Sequence, residues 1–472
     1  MPNTFAYLML AFWPFVVAVM FRRMPADRAL IWSILGGYLL LPPIANFDVP
    51  LLPPLDKHSI PALSAFLALW AKHGQMPKLV PQSVLARVAL TVYLLSGVGT
   101  VLTNGDPLVG GAFYLPGIPL TETVVSVITS FVNVLPLLLA QEILKERAAM
   151  RELMLALVVA GLAYSLPMLL EVRLSPQLNV WFYGFFQSIF GQMVRYGGYR
   201  PLVFLQHGLW VAFFAFMAVA AAVSLLRSEP GGRGRWFLAV LYLAVVLILC
   251  KSAGAIIYMI CFAPVVLFIR PRTQVTIAAA IAVIVVLYPM LRGAGFIPTG
   301  FFQGLATSID AERSQSFAFR LANEDLLLNR AAERPVFGWG GWNRNHVLDP
   351  SSGLVRTVTD GLWIIEIGAR GWVGYLGTFG LLTIPLFLLT LRARSKNALA
   401  PYVAPLALIL SANLIDLVPN ATLIPFTWLM AGALLGYATS KEIGAVPASI
   451  FEDIVAPAPW ARPRPPKREP AS

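Results

Sequence analysis

The stretch GLWVAFFAFMAVAAAVSLL, residues 208–226, contains no charged side chain over nearly the ~20 residues that a helix needs to cross a lipid bilayer. Comparable apolar runs recur from Thr4 to Thr439. In hydrocarbon such a segment must be helical, because each backbone N–H and C=O needs a partner within the segment. The sequence therefore predicts an all-α fold, a polytopic transmembrane helical bundle.

The composition argues against water as the main solvent of this chain. Of its 472 residues, 58% are hydrophobic and 12% are charged, whereas about 25% are charged in an average soluble domain. The net charge of +12 comes from short basic clusters between apolar runs, so we expect no nucleic-acid partner. Cys250 and Cys261 both lie in apolar runs, which argues against a disulfide framework or a thiolate metal site.

The apolar runs predict 11 to 13 crossings. The second and third runs are short and are interrupted by Pro42, Pro43 and Pro61, so they form either two crossings or one re-entrant hairpin. The predicted spans lie near residues 4–21, 29–45, 59–71, 84–103, 119–139, 152–172, 203–226, 236–250, 254–269, 273–291, 362–391, 397–416 and 421–438.

Basic residues in short connections mark the cytoplasmic side of a membrane protein, and here they fall on alternate connections. We therefore predict a multi-pass protein of a bacterial inner membrane with its C-terminus in the cytoplasm. Transmembrane helices occupy 1–291 and 361–440, a large periplasmic loop with short helices occupies 292–360, and 441–472 is a disordered tail. The clusters contain Arg22, Arg23 and Arg28; Lys72 and Lys78; Lys145, Arg147 and Arg151; Arg227, Arg233 and Arg235; Arg270 and Arg272; and Arg392, Arg394 and Lys396.

The loop at 292–360 contains seven arginines, seven acidic residues and no lysine. A guanidinium group offers a rigid, planar set of donors that matches phosphate oxygens, so a bound diphosphate is one interpretation. The alternative is a surface network in which the arginines pair with the acids. The arginines are Arg292, Arg313, Arg320, Arg330, Arg334, Arg344 and Arg356.

A second outward segment, 173–202, carries Arg195 and Arg200 among aromatic residues and has no acid. Such a segment either holds a lipid phosphate at headgroup depth or forms an aromatic belt with anchoring arginines. His207 follows near the outer mouth of a helix, where it is either a ligand or a structural residue.

Lys251 lies between two apolar runs, where a charge is costly unless it has a partner or faces a cavity. It is a functional candidate, and the alternative is a lysine that extends to the membrane surface. Glu171 and Glu366 lie near helix ends and are candidate partners.

Three short motifs follow one another in the second half of the chain. Arg320 lies in SFAFRLANEDLL, PVFGWG follows at residues 335–340, and GWVG at 371–374 opens the span after the loop. In this order, and with Lys251 before a serine at the outer end of a middle helix, the chain resembles the O-antigen ligase and O-antigen polymerase family over roughly residues 195–391. Members of that family are membrane glycosyltransferases of the GT-C type that act on polyprenyl-diphosphate-linked glycans.

One motif departs from the ligases of that family, which carry His-Asn-x-x-Leu with a glycine 11 residues after the histidine. The same frame here reads DGLWI from Asp360, with Gly371 in the glycine position. His346 lies upstream and does not match the motif. The resemblance therefore favours a polymerase of O-antigen or exopolysaccharide repeat units, with an O-antigen ligase as the alternative.

The resemblance also implies roles for particular residues. A set of basic residues would bind the diphosphate of the donor and stabilise the charge that builds on it, without a cofactor or metal ion. This diphosphate-binding set is Arg320, Lys251, Arg195, Arg200 and His207.

A base must take the proton of the acceptor hydroxyl, and Asp360 or His346 is expected to do so, with Arg320 as the third catalytic residue. Burial would raise the pKa of Asp360 for this role; the other interpretation of Asp360 is a helix N-cap. Gly338 and Gly340 are expected to form a tight backbone turn.

The implied partners are a polyprenyl-diphosphate-linked glycan, membrane lipid, and proteins of polysaccharide export or chain-length control. A further alternative from another class is a flippase or transporter of lipid-linked oligosaccharide. Transporters bind near the bilayer midplane through charged residues inside spans, and the sequence indicates few such charges and a large outward segment.

Overall fold

The computed structural model describes residues 1–50, 52–195, 197–300, 303–304, 307, 311–394 and 399–440, without the side chains of 311–314, 316 and 317. The tail predicted at 441–472 lies outside the described residues. The helices are α1 Thr4–Arg23, α2 Ala26–Leu40, α3 Ile60–His73, α4 Val84–Leu102, α5 Glu122–Ile143, α6 Arg147–Leu174, α7 Leu178–Tyr183, α8 Gly208–Ser228, α9 Arg233–Leu249, α10 Ala253–Phe268, α11 Pro271–Gly293, α12 Ala311–Ala332, α13 Leu362–Arg394, α14 Val403–Asp416 and α15 Pro425–Thr439.

Two short hairpins are the strand pairs of the described chain. Strand β1 (Leu108–Gly110) pairs antiparallel with β2 (Phe113–Leu115), and β3 (Val194–Arg195) pairs antiparallel with β4 (Gly198–Tyr199). Both hairpins lie in connections between helices, so the predicted all-α class is confirmed.

Within the described residues, eight helices are long and apolar enough to cross a membrane: α1, α4, α5, α6, α8, α9 with the turn before it, α11 and α13. The apolar helices α2, α3, α10, α14 and α15 are shorter, at 14 to 16 residues. Together these helices match the predicted spans one for one. The chain is a polytopic helical bundle of the multi-pass membrane type.

Helix α8, which contains the stretch quoted first, forms the centre of the bundle. Of its apolar window, 83% is buried inside the protein, and it packs against α6, α9 and α10. Alanine is frequent along α8, and small side chains let neighbouring helices approach closely.

The connections between helices gather at two opposite ends of the bundle. At one end, here called the loop end, Lys57 Nζ donates to Phe204 O at 2.9 Å and Gln206 Nε2 donates to Pro43 O at 3.2 Å. The other end is called the basic end because most of the basic clusters lie there. An example is Arg151, whose Nε lies 2.7 Å from Glu229 Oε1.

Helices α2 and α3 both run between these two ends. Helix α2 begins beside the ion pair of Arg28 with Glu152 (3.0 Å) at the basic end. Its last residue, Leu40, accepts a hydrogen bond from Tyr183 at the loop end. Helix α3 returns, and Lys72 near its end donates to Phe21 O at 2.9 Å. Of the two interpretations of this region, the structure has two antiparallel helices rather than a re-entrant hairpin.

The loop at 292–360 differs from the expectation of short helices, because α12 has 22 residues. Helix α13 begins at Leu362 and has a non-helical break at Gly371, with φ 64° and ψ −168°. The GWVG motif therefore lies inside a helix that has already begun, and does not open it. The part of α13 from 372 to 394 still exceeds the ~20 residues of a full crossing, so the break lies at the loop end of that crossing.

The segment 335–340 fits into the break of α13 through backbone hydrogen bonds. Trp339 N donates to Gly368 O at 2.8 Å, and Trp372 N donates to Pro335 O at 2.8 Å. Gly338 and Gly340 have positive φ values of 69° and 82°. The two glycines thus belong to an interlock between the loop and α13, which fixes where the loop leaves the membrane.

Candidate functional site

Glu171, at the loop end of α6, organises the segment that carries Arg195 and Arg200. The carboxylate is 1% exposed and accepts hydrogen bonds from three backbone N–H groups: Leu178 N at 2.9 Å, and Leu202 N and Val203 N at 2.7 Å. All three donors are backbone N–H groups and none is a lysine side chain, so the expectation that Glu171 pairs with Lys251 is wrong. Its role is to fold the 178–203 segment onto the bundle.

Arg200 is a buried cation at the amino end of α8. It is 6% exposed, its guanidinium packs beside Gly208, and its buried Nε–H has no hydrogen-bond partner within the described residues. Burial lowers the pKa of Arg200, and the charge of Arg195 lowers it further. The positive end of the α8 dipole faces the same region, so the local potential favours an anion.

His207 is the N-cap residue of α8. Its Nδ1 accepts a hydrogen bond from Leu209 N at 3.1 Å, so the proton lies on Nε2, which is 3.1 Å from Gln192 Oε1. Burial lowers the pKa of His207 to about 4, helped by the charges of Arg200, Arg320 and Arg195. His207 is therefore neutral, and its contacts are those of the structural alternative rather than those of a charged diphosphate ligand.

Lys251 occupies the turn between α9 and α10 with a φ of 52°. Its Nζ donates to Arg195 O at 2.9 Å, which ties this turn to the β3–β4 hairpin. Glu366, the other partner considered for Lys251, pairs with Arg370 instead. The structure therefore brings Lys251 and Arg195 together at the loop end without a carboxylate partner for Lys251 among the described residues.

Arg320 and Asp360 form an ion pair at the loop end. Arg320 Nε lies 3.4 Å from Asp360 Oδ2, and Arg320 Nη1 lies 3.5 Å from Pro419 O. The two side chains are 36% and 35% exposed, so the burial expected for a base at Asp360 is absent. Asp360 does not cap α13 either, because Leu362 N donates to Leu417 O at 3.0 Å.

His346 is not hydrogen-bonded to the ion pair of Arg320 and Asp360. Its Nδ1 lies 3.0 Å from Thr357 O and 3.1 Å from Thr357 Oγ1, and no hydrogen bond of the described residues links it to Arg320 or Asp360. Its contacts hold the 346–357 part of the loop together.

Most other arginines of the loop form a structural network with acids and backbone carbonyls, which was the alternative to a diphosphate site. Arg292 Nη2 lies 2.6 Å from Asp325 Oδ1, and Arg330 Nη1 lies 2.6 Å from Glu333 Oε2. Arg344 is 1% exposed and donates to three backbone carbonyls, and Arg334 donates to Asn104 Oδ1 at 2.8 Å. The side chain of Arg313 lies outside the described residues.

Glu324 is a carboxylate that the sequence reasoning did not single out. It follows Arg320 by one turn of α12, and its Oε2 lies 3.4 Å from Arg292 Nε. Burial raises the pKa of Glu324 to about 7; Arg292 opposes this shift, and the charges of Asp325 and Asp360 add to it. A carboxyl group with a pKa near 7 is suited to accepting protons at neutral pH.

A polar cavity of about 350 Å³ lies inside the bundle and was also missed. Its charged pair is Glu366 and Arg370, with Oε2 and Nη1 3.9 Å apart, and Thr378 Oγ1 lies 3.1 Å from Glu366 Oε2. Arg370 Nη2 also donates to Ser130 Oγ at 2.9 Å. The sequence could have indicated this cavity, because Glu366 and Arg370 are opposite charges four residues apart in the predicted span 362–391. Charges within an apolar span are rare unless they are functional.

Comparisons with known proteins leave the chain without an assigned family: no family model matches it, and no curated protein matches its sequence. Among the described residues, no group of three or more His, Cys, Asp or Glu side chains is placed to hold a metal ion. The cluster formed by Arg195, Arg200, Lys251 and Arg320 with the amino end of α8 is here called the cationic cluster. Guanidinium groups and helix N–H groups bind ligands with several anionic oxygens.

Proposed function

We propose that this protein is a membrane glycosyltransferase that polymerises undecaprenyl-diphosphate-linked repeat units of an O-antigen or exopolysaccharide. The observation that carries the proposal is the buried, unpartnered Nε–H of Arg200 beside the amino end of α8. Arg195 and Arg320 add positive charge close enough to lower the pKa of His207. A diphosphate supplies an acceptor oxygen for the Nε–H of Arg200, which has none among the described residues.

The loop end faces the periplasm in this proposal. The basic clusters lie on the connections at the opposite end, and positively charged short connections stay in the cytoplasm. The lipid-linked donor then meets the cationic cluster from the outer leaflet, where export and chain-length proteins are expected partners.

The reaction transfers a glycan from the diphosphate to an acceptor hydroxyl. The acceptor oxygen forms a bond to the anomeric carbon, the bond from that carbon to the diphosphate oxygen breaks, and its electron pair stays on the diphosphate. Arg200 and Arg320 stabilise this developing charge. Asp360 orients the Arg320 guanidinium, and Glu324, with a pKa of about 7, takes the proton of the acceptor.

Two features support a polymerase over the alternatives. Asp360 stands where ligases of the resembling family have a histidine. The break in α13 is followed by a full crossing from 372 to 394, whereas a transporter places its broken helices near the midplane. Ligase and transporter are therefore outcomes of the test rather than parts of the proposal.

The test is complementation of a strain that lacks the protein, scored by the length distribution of lipid-linked glycan. Wild-type protein should restore long chains on the carrier lipid, and Arg320→Ala and Glu324→Gln should leave single repeat units. Glu333→Gln, an exposed acid of the same loop, is the matched control and should behave as wild type.

Other outcomes would replace the proposal. If the strain accumulates long chains stranded on the carrier lipid, the protein is a ligase. If repeat units accumulate on the inner leaflet, it is a transporter. If Arg320→Ala and Glu324→Gln both give wild-type chains at wild-type expression, the site is wrong.

A further inference from the structure

The polar cavity inside the bundle adjoins the cationic cluster. Gln206, which precedes His207, and Leu362, which follows Asp360 by two residues, both line it. Ala421 also lines the cavity, and it lies two residues after Pro419, whose carbonyl oxygen is 3.5 Å from Arg320 Nη1. The mouth of the cavity therefore opens beside the groups that would hold the diphosphate.

The cavity reaches into the membrane-spanning part of the bundle. Its inner wall includes Tyr93 and Asn133, which lie near the middle of α4 and α5. Asn133 is exposed although it belongs to an apolar helix, and it lines the cavity. An amide at this depth is unfavourable in hydrocarbon. Tyr93 is one hydrogen-bond partner of Asn133, and the other donors and acceptors of the amide are open to a polar ligand or water in the cavity.

The lining is polar but nearly neutral. Glu366 and Arg370 offset each other, and burial keeps His58 uncharged by lowering its pKa to about 4. An anion would meet Glu366 and a cation would meet Arg370, so a charged ligand gains little from this lining. Donors and acceptors are both available for a neutral ligand with many hydroxyl groups.

Aromatic rings complete the lining. Trp210, Trp428 and Tyr93 face the cavity, and rings of this kind offer flat apolar surfaces beside their polar atoms. Small-molecule sites typically combine such apolar walls with a few placed polar groups, in cavities of about 300 Å³ or more. A sugar ring, with apolar faces and a rim of hydroxyl groups, matches this combination.

We propose that this cavity binds the neutral sugar ring directly joined to the diphosphate of the lipid-linked glycan. The inference rests on the proposed function, because the diphosphate places the ring at the mouth. It assigns the cavity to recognition of the sugar and the cationic cluster to recognition of the diphosphate.

The test measures binding of two ligands to the full-length protein in lipid nanodiscs. One ligand is synthetic undecaprenyl diphosphate, and the other is the lipid-linked glycan extracted from the strain that lacks the protein. Asn133→Leu removes the amide at similar volume, and Ala421→Trp narrows the mouth at an exposed position. Asn46→Leu, the same change at an exposed position outside the cavity, is the matched control.

Asn133→Leu should weaken binding of the lipid-linked glycan by about tenfold, as expected for the loss of one or two hydrogen bonds. Ala421→Trp should weaken it by about tenfold or more, because the indole blocks part of the mouth. Binding of undecaprenyl diphosphate should stay within about twofold of wild type. Asn46→Leu should change neither affinity.

The two proposals fail in different ways. If both cavity variants bind the lipid-linked glycan as tightly as wild type, the cavity inference is overturned and the cationic cluster stands. If wild type binds undecaprenyl diphosphate no better than Arg320→Ala does, the proposed function fails. If the cavity variants weaken both ligands equally, the cavity does not recognise the sugar and the inference is also overturned.

Discussion

A buried guanidinium with an unpartnered N–H destabilises a folded protein until an anion binds it, and Arg200 is in that position. Glu171 holds the backbone at Leu202 and Val203, so the chain around Arg200 cannot easily move the side chain to water. A bound diphosphate would accept a hydrogen bond from this N–H and offset the cost of burying it. Stability and binding should therefore change in opposite directions when Arg200 is replaced.

Arg200→Met should raise the stability of the ligand-free protein by about 1 kcal/mol and abolish most of its stabilisation by undecaprenyl diphosphate. Thermal unfolding in detergent, with and without that lipid, measures both effects. Arg334→Met is the matched control: it removes a bond to Asn104 and the stacking on Trp339, so it should lower stability. A destabilised Arg200→Met with unchanged lipid response would contradict the role of Arg200.

Glu324 makes stability depend on pH. Its folded pKa of about 7 lies above its usual value of 4.5. Between these values the folded state holds a proton that the unfolded state has released, so stability falls as pH rises from about 4.5 to about 7. Above that window the loss is complete and constant.

Glu324→Gln should remove the fall in stability between about pH 4.5 and pH 7. The variant should match wild type near pH 4.5 and exceed it at pH 8 by roughly 2 to 3 kcal/mol, because Arg292 keeps Asp325 as a partner. Unfolding curves of both proteins across pH 4.5 to 8 provide the measurement. A constant difference between the two proteins at all pH values would show that Glu324 does not titrate in this window.

At the residue scale, the sequence identified four basic candidates but did not predict their contacts or burial. These are Arg195, Arg200, Lys251 and Arg320. Charge and aromatic content identify a segment as a candidate binding region, whereas burial of one arginine depends on contacts far along the chain. The carboxylate of Glu171 makes those contacts 31 residues before Leu202. Glu324 was missed because its raised pKa arises from burial against α11 and α13, which local sequence does not reveal.

Among the elements, α13 and the segment 335–340 form the interlock that fixes the loop. A Cβ on Gly338 would lie 2.6 Å from the backbone of Ala369, and a Cβ on Gly371 would lie 2.3 Å from the backbone of Val336. Both glycines also have positive φ. Backbone atoms cannot move aside as side chains do, so both positions exclude any other residue.

Gly338→Ala and Gly371→Ala should each destabilise the protein by about 2 kcal/mol or more, since strain and overlap add. Gly341→Ala is the matched control, because nothing lies within 4 Å of its Cβ position. Thermal unfolding and the yield of monodisperse protein in detergent measure the effect. Wild-type stability in both interlock variants would contradict the interlock.

At this scale, apolar runs predicted each of the apolar helices in the described part of the chain, yet they did not predict the break in α13. The glycine motifs at 335–340 and 371–374 were recognised as turns and span boundaries, but their pairing spans about 30 residues of loop. Hydropathy reports burial in lipid, and it is insensitive to a single residue at which the helix changes direction. The length of α12 was missed because its sequence is charged.

For the whole molecule, the grouping of connections into two ends follows from alternating basic clusters, which local sequence encodes. The cavity does not follow from local sequence, because His58, Tyr93, Asn133 and Glu366 come from four separate parts of the chain. The central claim joins both features: cations at the loop end hold a diphosphate while a glycan is transferred beside it.

The most direct test of that claim is a reconstituted reaction. Purified protein in lipid vesicles should convert lipid-linked repeat units from the deficient strain into a ladder of longer lipid-linked glycans, with or without a metal chelator. Arg200→Met and Arg320→Ala, reconstituted at equal amounts, should give no ladder. A ladder of wild-type length from both variants, or none from well-folded wild type, would contradict the account.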